Sequence, residues 1–157
     1  MILRDVVPAD ALAVAQFQTR TWDECYAGLV PDAYLRAQRV PERLARWTRT
    51  LRTGSRGCAL AEADGPGGTE VVGVASWVPG EPSWELRSLY VAAGVRGTGI
   101  ADALLRRAVG ERAAHLRVFR DNTRARRFYA RHGFTVVAGS ERVDAGTGVP
   151  EVSMSRP

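Results

Sequence analysis

From Leu89 to Leu105 the chain reads LYVAAGVRGTGIADALL, with glycines at 94, 97 and 99 between a strand-like apolar run and a helix-like one. Glycines placed this way let the backbone come close to something. The first turn of a helix leaves backbone N–H groups unpaired, and its dipole favours negative charge. The chemistry offered is therefore the holding of an anion, with a phosphate the natural candidate. Three phosphate-binding loops compete. A dinucleotide fingerprint needs Gly-x-Gly-x-x-Gly and an acid at the end of the next strand. Gly97 and Gly99 supply the first half, but Asp102 stands in the third glycine's place and HLRVF, 115–119, ends without an acid. A P-loop needs a lysine, and all 22 basic residues here are arginine. What remains is Arg96-Gly97-Thr98-Gly99-Ile100-Ala101: Arg or Gln, two residues, Gly, one residue, then Gly or Ala. Small residues at 97, 99 and 101 would keep side chains out of a pyrophosphate's way. A tight turn alone would want the same glycines.

Other chemistries find little to work with. Without lysine there is no Schiff base. Cys25 and Cys58 stand far apart in no metal or redox spacing, and with His115 and His132 the only histidines, a metal site is not expected. Both cysteines read as reduced thiols, and Cys25 has no evident partner base for nucleophilic work.

The elements that must position the loop follow from periodicity. ILRD reads as a first strand and PADALAVAQFQTR as a helix entered at Pro8. Thr21 to Leu35 reads as a connecting loop with three aromatics, three acids and no arginine. From Val40 an amphipathic helix runs through Leu44, Trp47 and Leu51, its arginines on a solvated face. CALAEAD, GPGGT and EVVGVASWV form a hairpin, and SWELRSLYV is the fourth strand. After the glycine loop come a helix from Ile100 to about Ala114, the fifth strand HLRVF, and a helix NTRARRFYARHG closed by Gly133. FTVVAGSERV and VPEVSMS finish as a second hairpin. This order predicts one α/β domain over 1–157 with a mixed sheet and helices on both faces.

The run from WELRSLYV through RGTGIADALL to DNTRARRFYARHGF, Trp84 to Phe134, resembles the GCN5-related N-acetyltransferases (GNAT). The flanking elements agree in order, so the resemblance extends over the chain. It implies a mixed, mostly antiparallel sheet of about seven strands with about four helices, splayed between strands four and five. It also implies that Arg96, Gly97, Thr98, Gly99, Ile100, Ala101 and Asp102 hold the pyrophosphate of acetyl-CoA. The pantetheine arm would lie along Leu89, Tyr90 and Val91, with the acetyl oxygen near the Leu89 N–H. Asn122 would cap its helix or bond the arm. By the same resemblance Tyr129 is the general acid at the thioester sulfur, where a phenol with an ordinary pKa of ~10 stays protonated. Glu85 matches the base of the histone-acetyltransferase branch; otherwise it is a strand acid pairing Arg87. Ala101 replaces the more usual last glycine, and Ala93 stands where a proline is frequent. Trp22, Tyr26 and Tyr34 would line the acceptor wall.

The expected activity is acetyl transfer from acetyl-CoA to a primary amine, small or peptidic, by direct attack in a ternary complex. The alternative is a coenzyme A-binding module of the same fold without turnover. A net charge of +5 favours acidic partners, and a phosphorylated cofactor suffices, so neither nucleic acid nor membrane is expected. The start carries an acid and a proline where a signal peptide would be basic and apolar, which predicts a cytoplasmic protein; a monomer or homodimer without metal is expected besides.

Overall fold

The structure, a computed structural model, describes residues 1–157. Its strands are β1 (Ile2–Asp5), β2 (Gly57–Gly65), β3 (Gly68–Val78), β4 (Trp84–Val91), β5 (Ala114–Phe119), β6 (Thr135–Val136), β7 (Arg142–Val143) and β8 (Pro150–Arg156). Its helices are α1 (Ala11–Tyr26), α2 (Asp32–Ala37), α3 (Val40–Thr53), α4 (Ile100–Val109) and α5 (Thr123–Arg131). One sheet runs β1-β2-β3-β4-β5-β8-β6, with β7 also on β8, and only the β4–β5 pair is parallel. The chain is thus an α/β domain with a mixed, mostly antiparallel sheet.

Helices cover both faces, as alternation along the strands requires. On one face Leu86, Leu116, Val118 and Met154 pack under Ile100, Leu104, Leu105 and Ala108 of α4 and Tyr129 of α5. On the other, Leu60 and Val74 meet Val14, Ala15 and Phe17 of α1 and Trp47 of α3. The seat of α4 depends on Gly73: a Cβ there would stand 2.7 Å from Leu104 Cδ1. A larger residue at 73 would lift α4, and with it the glycine loop, off the sheet.

The sheet splits at its centre. β4 and β5 pair only at Trp84–Ala114, Glu85–His115 and Leu86–Leu116. Opposite this, the β3–β4 register slips between Ser76 and Trp77, leaving Arg87 as an extra residue on β4. Such a bulge bends its strand, and beyond Leu86 β4 leaves β5. β5 stays paired to β8 along its length, from Ala114–Arg156 to Phe119–Glu151. The splay expected between strands four and five is present.

Three expectations need correction. The segment 21–35 is largely helical: α1 continues to Tyr26, and α2 begins at Asp32 after Pro31. Its acids interrupt the apolar period, but Trp22 and Tyr26, four residues apart on α1, stack at 4.5 Å and both pack on Phe119. Tertiary aromatic packing carries the helix where local pattern does not. The helix expected to reach Ala114 stops at Val109, because Gly110 turns with φ +54°. The first strand of the closing hairpin is broken into β6 and β7, which both pair with β8 around a turn at Gly139, φ +73°. No helix is long and apolar enough to cross a membrane.

Candidate active site

The splay opens a cavity of about 530 Å³ that runs from the glycine loop to α1. At the loop end Gly97 and Gly99 hold φ of +78° and +89°, and a Cβ at either would meet no protein atom within 4 Å. Glycine is therefore needed for backbone geometry, while the space above the loop stays open. The first N–H of α4 to find a backbone acceptor is that of Ala103, bonded to Gly99 O at 3.0 Å. Those of Gly99, Ile100, Ala101 and Asp102 find none. Four convergent donors at a positive helix end are what an anion requires. Gly97, Gly99, Ala101 and Asp102 line the cavity. Thr98 and Ile100 do not: the Thr98 hydroxyl donates back to Val95 O at 2.6 Å, and the Ile100 side chain is core. The remaining contribution of these two residues is their backbone.

Arg96 lines the cavity but turns toward α1, donating from Nη2 to Cys25 Sγ at 2.8 Å. Asp102 is tied to the end of α5 through His132 Nε2, at 2.8 Å. Along the open edge of β4, Leu89, Tyr90 and Val91 face the cavity. Across it, Asn122 Oδ1 accepts the Ala125 N–H at 3.2 Å and caps α5. Its NH₂ group remains available, so capping and a second bond coexist.

Tyr129 lines the cavity. Its ring packs at 5.3 Å from Phe128 and 5.8 Å from Phe134, which makes it a core residue as well. Burial, with a smaller contribution from Tyr90, raises its phenol above the ordinary value. The phenol is thus protonated at neutral pH.

The far end is aromatic. Trp22 lies 5.9 Å from Tyr34 and 6.4 Å from Phe119, and Tyr26 lies 5.2 Å from Phe119. Trp22, Tyr26 and Tyr34 all line the cavity, and they also pack on the small cluster Val30, Leu35 and Val149. The buried Arg43 guanidinium stacks 5.0 Å from the Trp22 ring, and burial lowers its pKa.

The structure also leaves the expected base outside. Glu85 does not line the cavity, and Arg87 Nη1 holds its carboxylate at 3.0 Å. Several cavity residues escaped the sequence reading: Cys25, Arg117, Phe119, Asp144 and Glu151. Arg117 and Phe119 were accessible by period-two alternation on β5. Glu151 was not, because only the β5–β8 register brings it opposite Phe119. No group of three His, Cys, Asp or Glu is placed to hold a metal ion.

A domain model described as the Acetyltransferase (GNAT) domain matches residues 54–136. No curated protein sequence matches the chain. Among solved structures, the PaiA N-acetyltransferase of Thermoplasma acidophilum in complex with coenzyme A superposes with a TM-score of 0.73 at 19% identity, covering 99% of this chain and 97% of that one. A ribosomal-protein-alanine N-acetyltransferase of Brucella melitensis gives 0.66 at 23%, covering 99% of both chains. YncA of Salmonella typhimurium, a putative acetyltransferase with acetyl-CoA, gives 0.68 at 20%, covering 99% and 92%. At these identities the likeness is one of fold.

Proposed function

The chain belongs to the GNAT acetyltransferase family, and on that premise we propose that it transfers an acetyl group from acetyl-CoA to a primary amine by direct attack in a ternary complex. The observation that carries the reading is one cavity joining four unpaired helix-end amides, an open strand edge and the buried Tyr129 phenol. These residues fit the co-substrate. The amides of residues 99–102 would take the pyrophosphate, with the Gly97 backbone open beside them. The edge of β4 from Leu89 to Val91 would pair with the pantetheine arm as a strand pairs with a peptide, and the Asn122 NH₂ would bond it from the other side.

Bound acetyl-CoA supplies the acetyl group already activated as a thioester. The chain's residues do the rest. A fixed Leu89 N–H would stabilise the carbonyl oxygen as negative charge develops there, the kind of contribution that is usually largest in acyl transfer. The Tyr129 hydroxyl would give its proton to the departing sulfur, and burial keeps that proton in place beforehand. Glu85 would take the ammonium proton only through water, since its carboxylate sits outside the cavity wall beside Arg87. The aromatic end would seat the acceptor.

Calorimetric titration of acetyl-CoA, followed by thiol release across a panel of amines, tests the proposal. Micromolar binding with turnover of at least one amine is expected. Binding without any turnover would favour the coenzyme A-binding module, and no binding would refute both.

A further inference from the structure

We propose that the acceptor is a small primary amine that also carries a carboxylate, held by the Arg117 guanidinium; this rests on the acetyltransferase reading above. The charges around the acceptor end are unequal. Away from the glycine-loop end, the cavity is lined by three guanidiniums, of Arg87, Arg117 and Arg124, against two carboxylates, of Asp144 and Glu151. Most of these groups are committed. Arg87 holds Glu85 at 3.0 Å, and Arg142 holds Glu151 through Nε at 2.7 Å. Asp144 Oδ2 takes the Thr147 N–H at 2.9 Å and its hydroxyl at 2.7 Å. Arg117 approaches Glu151 only to 3.7 Å and donates no hydrogen bond. Arg117 and Arg124 both line the cavity with their donors free, and of the two only Arg117 stands on a strand of the splay.

Position makes this guanidinium useful. Arg117 is the first residue of β5 beyond the last β4 pair, Leu86–Leu116. Two residues of strand, about 7 Å, separate that level from Leu89, where the acetyl oxygen is placed in our reading. An arginine side chain covers such a distance, so a carboxylate bound at Arg117 would set an amine a few bonds away near the thioester. The roof limits acceptor size. Val149 is buried with Val30 and Leu35, and a Cβ on Gly146 would stand 3.8 Å from the Tyr34 ring. The turn between β7 and β8 thus packs against α2 and walls this end of the cavity.

The test compares glycine, β-alanine and γ-aminobutyrate with their primary amides and with alkylamines of equal length, reading thiol release. At least one acid should exceed its amide by about 10- to 100-fold in kcat/KM, as expected for a charge-assisted bond. Arg117→Gln should shrink that ratio toward one through KM, and Arg117→Lys should restore part of it. Circular dichroism and acetyl-CoA titration of each variant read whether fold and co-substrate site persist. Amides or alkylamines used as well as the acids overturn the proposal, and so does preferred acetylation of protein lysines. The acetyltransferase reading survives either result. If acetyl-CoA binds but nothing turns over, titration of the N-acetylated acids and amides into CoA-loaded protein decides. Equal affinity there overturns the inference, and tighter acid binding supports it.

Discussion

Replacing Tyr129 by Phe removes one oxygen from the cavity and little else. The ring stays packed between Phe128 and Phe134, and the phenol makes no hydrogen bond to another protein group. No buried donor or acceptor is therefore orphaned, and stability should change by less than ~1 kcal/mol. A positioned acid contributes ~10²–10⁴-fold. The phenol's raised pKa makes transfer to a thiolate uphill unless the ammonium proton refills it, so the low end applies. A loss of about 10² in kcat corresponds to about 2.7 kcal/mol of barrier. The KM for acetyl-CoA should hold within about twofold, because the interaction strengthens only as the sulfur leaves. Steady-state thiol release by purified parent and variant on one working acceptor measures both quantities. A variant within twofold of the parent in kcat would refute the acid role and leave Tyr129 a core residue.

Gly99→Val places a side chain at φ +89° and should cost about 1–2 kcal/mol of backbone strain, a drop of roughly 2–8 °C in Tm. It should also weaken acetyl-CoA binding by about tenfold or more, and calorimetry showing unchanged affinity would remove the loop from the site. Glu85→Gln should lower kcat/KM by about tenfold or more below the acceptor's pKa if Glu85 relays its proton; a pH–rate profile superimposable on the parent's would exclude it. Cys25, against Arg96 in the cavity, should react with iodoacetamide before the buried Cys58, and acetyl-CoA should slow it. Equal rates for the two thiols by mass spectrometry would contradict this placement. Burial raises Cys58 from 9.0 to about 11. Above pH 9 the unfolded state releases this proton before the folded state does, so stability should fall as pH rises from 9 through 11, and chemical denaturation across that range reads it.

The chain's local grammar carries much of this site. The small residues at 97, 99 and 101, the apolar stripe of Leu104, Leu105 and Ala108, and the strand beginning at Trp84 are short-range patterns, and they placed the strand, loop and helix in order, while the splay came only from the family resemblance. The acceptor end resists such reading because it is assembled from distant parts. Trp22 belongs to α1, Phe119 to β5 and Glu151 to β8, and only the register of the sheet brings them together. The helix through Tyr26 was hidden for the same reason, since its support comes from Phe119 almost a hundred residues later. Glu85 marks the opposite case: its sequence position fits, but its carboxylate is turned to Arg87.

The rift in the sheet leaves β4 and β5 as two edges facing each other inside the domain. Residues 87–91 and 117–119 have no strand partner across that gap. Edges of this kind are templates for any extended chain, including a neighbour's. The two flanks, β1–β4 and β5–β8, are laced together by three residue pairs and by the side chains beneath α4. An extended ligand lying in the gap would serve as a removable ninth strand, adding RT ln(1 + [L]/Kd) to stability. Cofactor concentration would then govern catalysis and also how often the two flanks part, and the empty protein would be the form most prone to self-association.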